Sequence, residues 1–178
     1  LQIILIELDP FAGGAEVRAL LAAQLRLPAD FDEPADAPGA ATAAASLDAA
    51  FATAAALVER LSGRALKRRR FRSAAASWDS ASALAVGPVS ALLAVTVEDE
   101  AGAVAAFAVE DFRMDVLSDP ARVIPRSGVS APRVARGGLA AVEFEAGYGP
   151  RFADAPADLR AATLAVAAAA WEHAAGGE

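Results

Sequence analysis

Apolar positions return at helical intervals in three parts of the chain and at strand-like intervals between them. Over residues 15–27, Val17, Leu20, Leu21 and Leu25 fall on one side of a helix, with Glu16, Arg18 and Gln24 toward water, and Pro28 ends it. Leu47, Phe51, Ala54, Val58 and Leu61 trace one stripe of a second helix over 47–61, with Ser46 placed to cap it and Gly63 placed just past its end. Beyond Gly63 the period shortens. Six β-like segments follow, at 66–73, 89–98, 104–109, 112–116, 122–125 and 139–145. They are separated by the turn signals Gly87-Pro88, Glu100-Ala101-Gly102, Ser118-Asp119-Pro120, Ser127-Gly128 and Gly137-Gly138. Residues 1–8 predict a strand or an arm that pairs with another element, and the acidic, proline-rich residues 28–41 predict a loop.

The last helix, over residues 156–173, is apolar on more than one face. Leu159, Thr163, Val166 and Ala170 follow a 4-3-4 spacing, Leu164 and Trp171 lie on a second stripe, and no charge falls between Ala161 and Ala170. A helix exposed along one side carries polar residues there. This one therefore needs cover on both sides, from its own domain and from a neighbouring copy or another protein. Helices at both ends and strands between them define an α+β chain. It reads as a single domain over 1–178, a small helical bundle with an antiparallel β-rich insert at 65–146.

Composition changes this picture in a few places. Of 178 residues 56 % are apolar, and the excess is alanine rather than aromatic, so the helices should pack closely on small side chains. A net charge of −7 argues against nucleic-acid binding over the whole surface. With no cysteine, disulfides and thiolate metal sites are excluded. The run 1–6 is too short to span a bilayer and lacks a signal-peptide pattern, so a soluble protein without a membrane partner is expected.

Candidate chemistry is sparse. In Lys67-Arg68-Arg69-Arg70-Phe71-Arg72, a strand places Arg68, Arg70 and Arg72 on one face and Lys67, Arg69 and Phe71 on the other. That run reads either as a contact to phosphate or to an acidic partner, or as a solvated edge strand whose charges prevent edge pairing. Glu143 and Glu145 share a strand face like a glycosidase pair, but no third polar group is placed to set their pKa values, and a solvated face accounts for them. Asp30, Asp32, Glu33 and Asp36 lack the glycine and the distal glutamate of a calcium loop. His173 is the only histidine, placed to favour the helix dipole, and no metal site or catalytic triad can be built on it. Gly147-Tyr148-Gly149 and Gly137-Gly138 are turns, not phosphate loops. Trp78 and Trp171 are each either a contact residue or an internal anchor. Neither a catalytic centre nor a cofactor is expected.

Three stretches together carry a resemblance: VERLSGRALKRRRFR (58–72), VSALLAVTVEDEAGAVAAFAVEDFRMDVLSDPARVIPRSG (89–128), and VEFEAGYG followed by PADLRAATLAVAAAAWEH (142–173). With LLAAQLRLPADFDE (20–33) before them, they resemble the tailed-phage head–tail connector, or adaptor, family in the version that carries a β insert between its helices. The resemblance implies a ring of about twelve copies closed by head-to-tail contacts. It would be made in the bacterial cytoplasm and built into the particle neck, with the portal protein above, a stopper or other neck protein below, and double-stranded DNA in transit through the lumen. Leu159, Leu164, Val166, Trp171 and His173 would then form the oligomer or portal interface, and Lys67, Arg68, Arg69, Arg70 and Arg72 the lumen or acidic-partner contact. The alanine-rich style also suits a gene transfer agent, a phage-like particle encoded by a bacterium. The opening LQIILIELDP departs from the family pattern, and the chain ends soon after Trp171. Two rivals stand beside this reading. One is a small α+β enzyme or ligand-binding domain using Arg113, Asp115 and Arg122, and the other is a different neck component such as a stopper.

Overall fold

The computed structural model describes residues 3–9, 11, 14–27 and 40–175, and the acidic segment 28–39 lies outside them. The chain divides into two compact units. One comprises residues Leu1–Pro10 and Gly63–Tyr148, the other Phe11–Ser62 and Gly149–Glu178.

The second unit is a bundle of α1 (Gly14–Gln24), α2 (Ala40–Ser62) and α4 (Ala157–Ala175), each packed on the other two. Its core centres on Phe51, whose ring meets Phe11 at 5.4 Å and, edge-on, Phe152 at 5.2 Å. Val17, Leu21, Leu47, Ala54, Ala55 and Ala167 complete it, so the alanines do allow close helix approach. The buried Thr163 hydroxyl donates back to Leu159 C=O at 2.8 Å, which satisfies it inside the helix. Two expectations for α2 fail. The helix begins at Ala40, which places Ser46 inside it rather than at its cap and absorbs residues 40 and 41 from the expected loop. Leu61, expected on the buried stripe, is 76 % exposed. Gly63 holds the positive φ of a helix-ending residue, as expected. On α1, Leu20 is exposed while Val17 and Leu21 are buried, and the helix ends at Gln24 in a turn rather than at Leu27.

The first unit holds two antiparallel sheets. A five-stranded sheet runs β1 (Ile4–Glu7), β2 (Arg69–Ala75), β8 (Leu139–Ala146), β4 (Val89–Glu98), β5 (Val104–Phe107) in spatial order. A three-stranded sheet runs β3 (Ala83–Leu84), β7 (Ala121–Pro125), β6 (Phe112–Asp115). The registers place Phe71, Val142, Phe144 and Val95 on one face of the larger sheet, where they form a core with Trp78, Leu84, Phe112 and Val123. Phe71 stacks on Phe144 at 5.8 Å, and Trp78 lies 5.4 Å from Phe112, so Trp78 is an internal anchor. The α+β expectation holds, and so does the pairing expected of the chain's opening residues, which supply an edge strand of this sheet. One-turn α3 (Trp78–Ala81), capped by Ser77, and two-residue β3 carry too short a pattern to be read from sequence.

Candidate assembly surfaces

The basic run forms the start of β2, and its alternation is as expected: Arg69 and Phe71 are buried, Arg70 is exposed. Its place is not. An edge strand was one reading, yet β2 lies between β1 and β8, because carboxylates on both neighbours meet its charges. Arg69 lies over the Phe71 ring at 4.9 Å to the centroid, and its Nε donates to Glu7 on β1. Arg70 grips Asp9 with two hydrogen bonds, Nε to Oδ2 at 2.8 Å and Nη2 to Oδ1 at 2.9 Å. Those bonds hold the Asp9 carboxyl below its usual range and raise the guanidinium, with Glu143 and Glu145 adding to the latter. Across the next ladder Arg70 stands opposite Glu145 and Arg72 opposite Glu143, while Arg72 reaches Glu98 at 4.0 Å.

Glu143 and Glu145 are therefore counter-charges to arginines on the adjacent strand. The sequence carried a signal for this: RRFR and VEFE alternate charge with the same period and opposite sign. Arg68 is exposed and Lys67 half-buried, just before β2.

On α4 the side chains divide by flank. Thr163 and Ala167 are buried. Leu159, Leu164, Val166 and Trp171 are half-buried, and His173 is exposed in the last turn. The opposite flank presents Ala161, Ala162, Ala165 and Ala169, all exposed, so this unit covers only one side of a helix that has no charge there.

Arg113, Asp115 and Arg122 share one face of the smaller sheet, but they do not line a common pocket. Arg113 lines an open groove of about 700 Å³ with Leu92, Phe112, Met114 and Arg126. Asp115 caps the β6–β7 turn, accepting from Leu117 N–H at 3.2 Å and Ser118 Oγ–H at 2.7 Å, and the Ser118 bond is the main cause of its lowered pKa. Arg122 is exposed opposite Asp115 in the ladder and does not line the groove. A second cavity of about 430 Å³, lined by Arg64, Leu84, Pro88, Val116 and Asp119 among others, brings together no acid–base pair beyond the Arg64–Asp119 contact at 3.6 Å. Among the described residues no group of three metal-ligating side chains occurs, and no helix is long and apolar enough to cross a membrane.

These are surfaces suited to packing, on a fold whose charges tie strand to strand. No protein-family model and no curated protein matches the chain. Solved structures do. The chain is similar to one in the neck of an empty gene transfer agent (GTA) particle computed with C6 symmetry, at 28 % identity and a TM-score of 0.76, over 95 % of this chain and 84 % of that one. A chain of the virion of a native GTA particle matches at 28 % identity and 0.75, over 95 % and 84 %. One from the neck of a native GTA particle computed with C12 symmetry matches at 26 % and 0.68, over 95 % and 83 %. The likeness is thus to structural components of the neck of a phage-like particle.

Proposed function

We propose that this chain is a non-enzymatic adaptor subunit of such a neck, a ring of about twelve copies that joins the portal to the next neck component while DNA passes through the centre. The match to neck chains over 95 % of its length carries this reading, and twelve copies accord with the C12 symmetry in which one of those necks was computed. The alanine flank of α4 supports it independently, because small side chains let a neighbouring backbone approach closely. Leu159, Leu164, Val166, Trp171 and His173 mark the portion of α4 that meets the next copy or the portal. In the basic run, Arg69, Arg70 and Arg72 are already engaged by carboxylates, so contact with passing DNA falls to Lys67 and Arg68. Such contact must be weak, since a tight grip on phosphate would stall translocation.

A reconstruction of intact particles carrying a tagged copy tests the proposal. The expected result is density for this chain as a closed ring directly below the portal. Its location elsewhere in the neck would make it a stopper or tail-completion protein, and its absence from particles would end the proposal.

A further inference from the structure

The five-stranded sheet has two open edges: among the described residues, no strand pairs with the outer side of β1 or of β5. Leu8 N–H donates to Arg70 C=O at 2.9 Å, so alternation turns the main-chain groups of Ile4, Ile6 and Leu8 toward β2 and those of Leu5 and Glu7 outward. At the far end Asp99 N–H donates to Ala103 C=O at 3.0 Å, which turns Ala105 and Phe107 toward β4 and Val104 and Ala106 outward. Both edges are apolar and accessible. Ile4, Leu5 and Ile6 are 45, 40 and 44 % exposed, and Val104 is 61 % exposed. The single charge in either strand, Glu7, is bound to Arg69. Proteins ordinarily block such edges with lysine, proline or a bulge, and neither strand has one.

We infer, resting on the ring reading, that β5 of one copy pairs with β1 of the next, so that the sheet continues from subunit to subunit. Direction supports it. Every neighbouring pair in the order β1-β2-β8-β4-β5 is antiparallel, so β1 and β5 run the same way. A rotation about a ring axis then brings β5 beside the next β1 in parallel, with the core face kept on one side. Outward main-chain groups recur every second residue on both strands, as a ladder requires. A foreign strand would satisfy one edge and leave the other open. A second copy satisfies both, and closure leaves none.

The chain has no cysteine, which permits a clean test. Ile6 and Ala106 lie on the same sheet face, away from the core, and adjacent strands about 4.8 Å apart are within disulfide reach. The double variant Ile6→Cys/Ala106→Cys, assembled on portal-bearing heads and oxidised, should give a ladder of linked species extending to the full ring. Val104→Cys in place of Ala106→Cys covers a two-residue shift in register. Each single variant should give no ladder. Leu5→Pro removes an outward N–H without touching the inner ladder, and should lower ring yield at least about tenfold. Rings seen by electron microscopy with no linkage in either double variant would overturn edge pairing and leave the ring intact. Linkage in Ile6→Cys alone would mean that β1 meets β1 and would overturn it too. No ring with the wild-type chain overturns both readings.

Discussion

Arg69 shows what a charge does when a strand carries it inward. Its side chain is 6 % exposed, stacked on Phe71, and Glu7 is the carboxylate that its Nε meets. Removing Glu7 would take the carboxylate from Arg69 Nε and leave Nη1 its bond to Lys67 C=O, and deleting one partner of a buried ion pair costs more than the pair contributes. Glu7→Ala should therefore lower stability by about 2 kcal/mol in urea unfolding, whereas Glu7→Leu with Arg69→Met should recover most of that loss. Asp9 ties β1 down at the surface in a different, pH-dependent way. Arg70 holds its carboxyl below the ordinary 3.8, so the folded state binds this proton less readily than the unfolded chain. The resulting stabilisation is complete above the unfolded value and is lost as pH falls from there through the lowered folded value. Hydrogen exchange should show the β1 amides losing protection on acidification through that window. Asp9→Asn should already be less protected at neutral pH, with a flatter acid response.

At the scale of elements, α4 is where folding and assembly make different demands. Thr163 and Ala167 satisfy the bundle, while Ala161, Ala162, Ala165 and Ala169 face outward without a polar residue among them. Ala165→Lys should leave the isolated fold within about 0.5 kcal/mol of wild type and yet exclude the variant from particles, as read by thermal unfolding and by particle-associated protein. The apolar character of this helix on every side was legible in the sequence, since a ten-residue run without charge is a local property. So was β4, whose bounds of Val89–Glu98 follow from a β-branched run between Gly87-Pro88 and an acidic turn. The beginning of α2 was not, because residues 40–46 are mostly alanine and show no stripe from which a period can be read. Nor was the central place of β2. A strand with arginine at alternate positions looks like an edge until its neighbours are known, and the carboxylates that admit it to the sheet come from more than sixty positions earlier and seventy later. Pairing across such distances leaves no local mark beyond the matching alternation of RRFR and VEFE.

At the scale of the whole molecule the charge is divided unevenly. The β unit, Leu1–Pro10 with Gly63–Tyr148, has eleven basic and twelve acidic side chains, a net of −1, while the helical unit has five and eleven, a net of −6. Copies of a chain at −7 repel one another, and a ring gathers many of them at short range. The contacts proposed to close it, an alanine flank and two strand edges whose one charge, Glu7, is already paired with Arg69, are apolar and main-chain in character and gain little from low salt. Screening length falls from about 30 Å at 0.01 M to about 8 Å at 0.15 M, so repulsion between copies weakens sharply over that range. Ring occupancy on portal-bearing heads, counted by mass photometry or microscopy, should accordingly rise as ionic strength is raised from about 0.01 to 0.15 M. Contact with DNA through Lys67 and Arg68 should change in the opposite sense, since it depends on displacing counterions from phosphate. A ring held together instead by arginine–carboxylate pairs between copies would weaken with added salt. Two dependences of opposite sign in one assembly would separate the force that closes the ring from the force that touches its cargo.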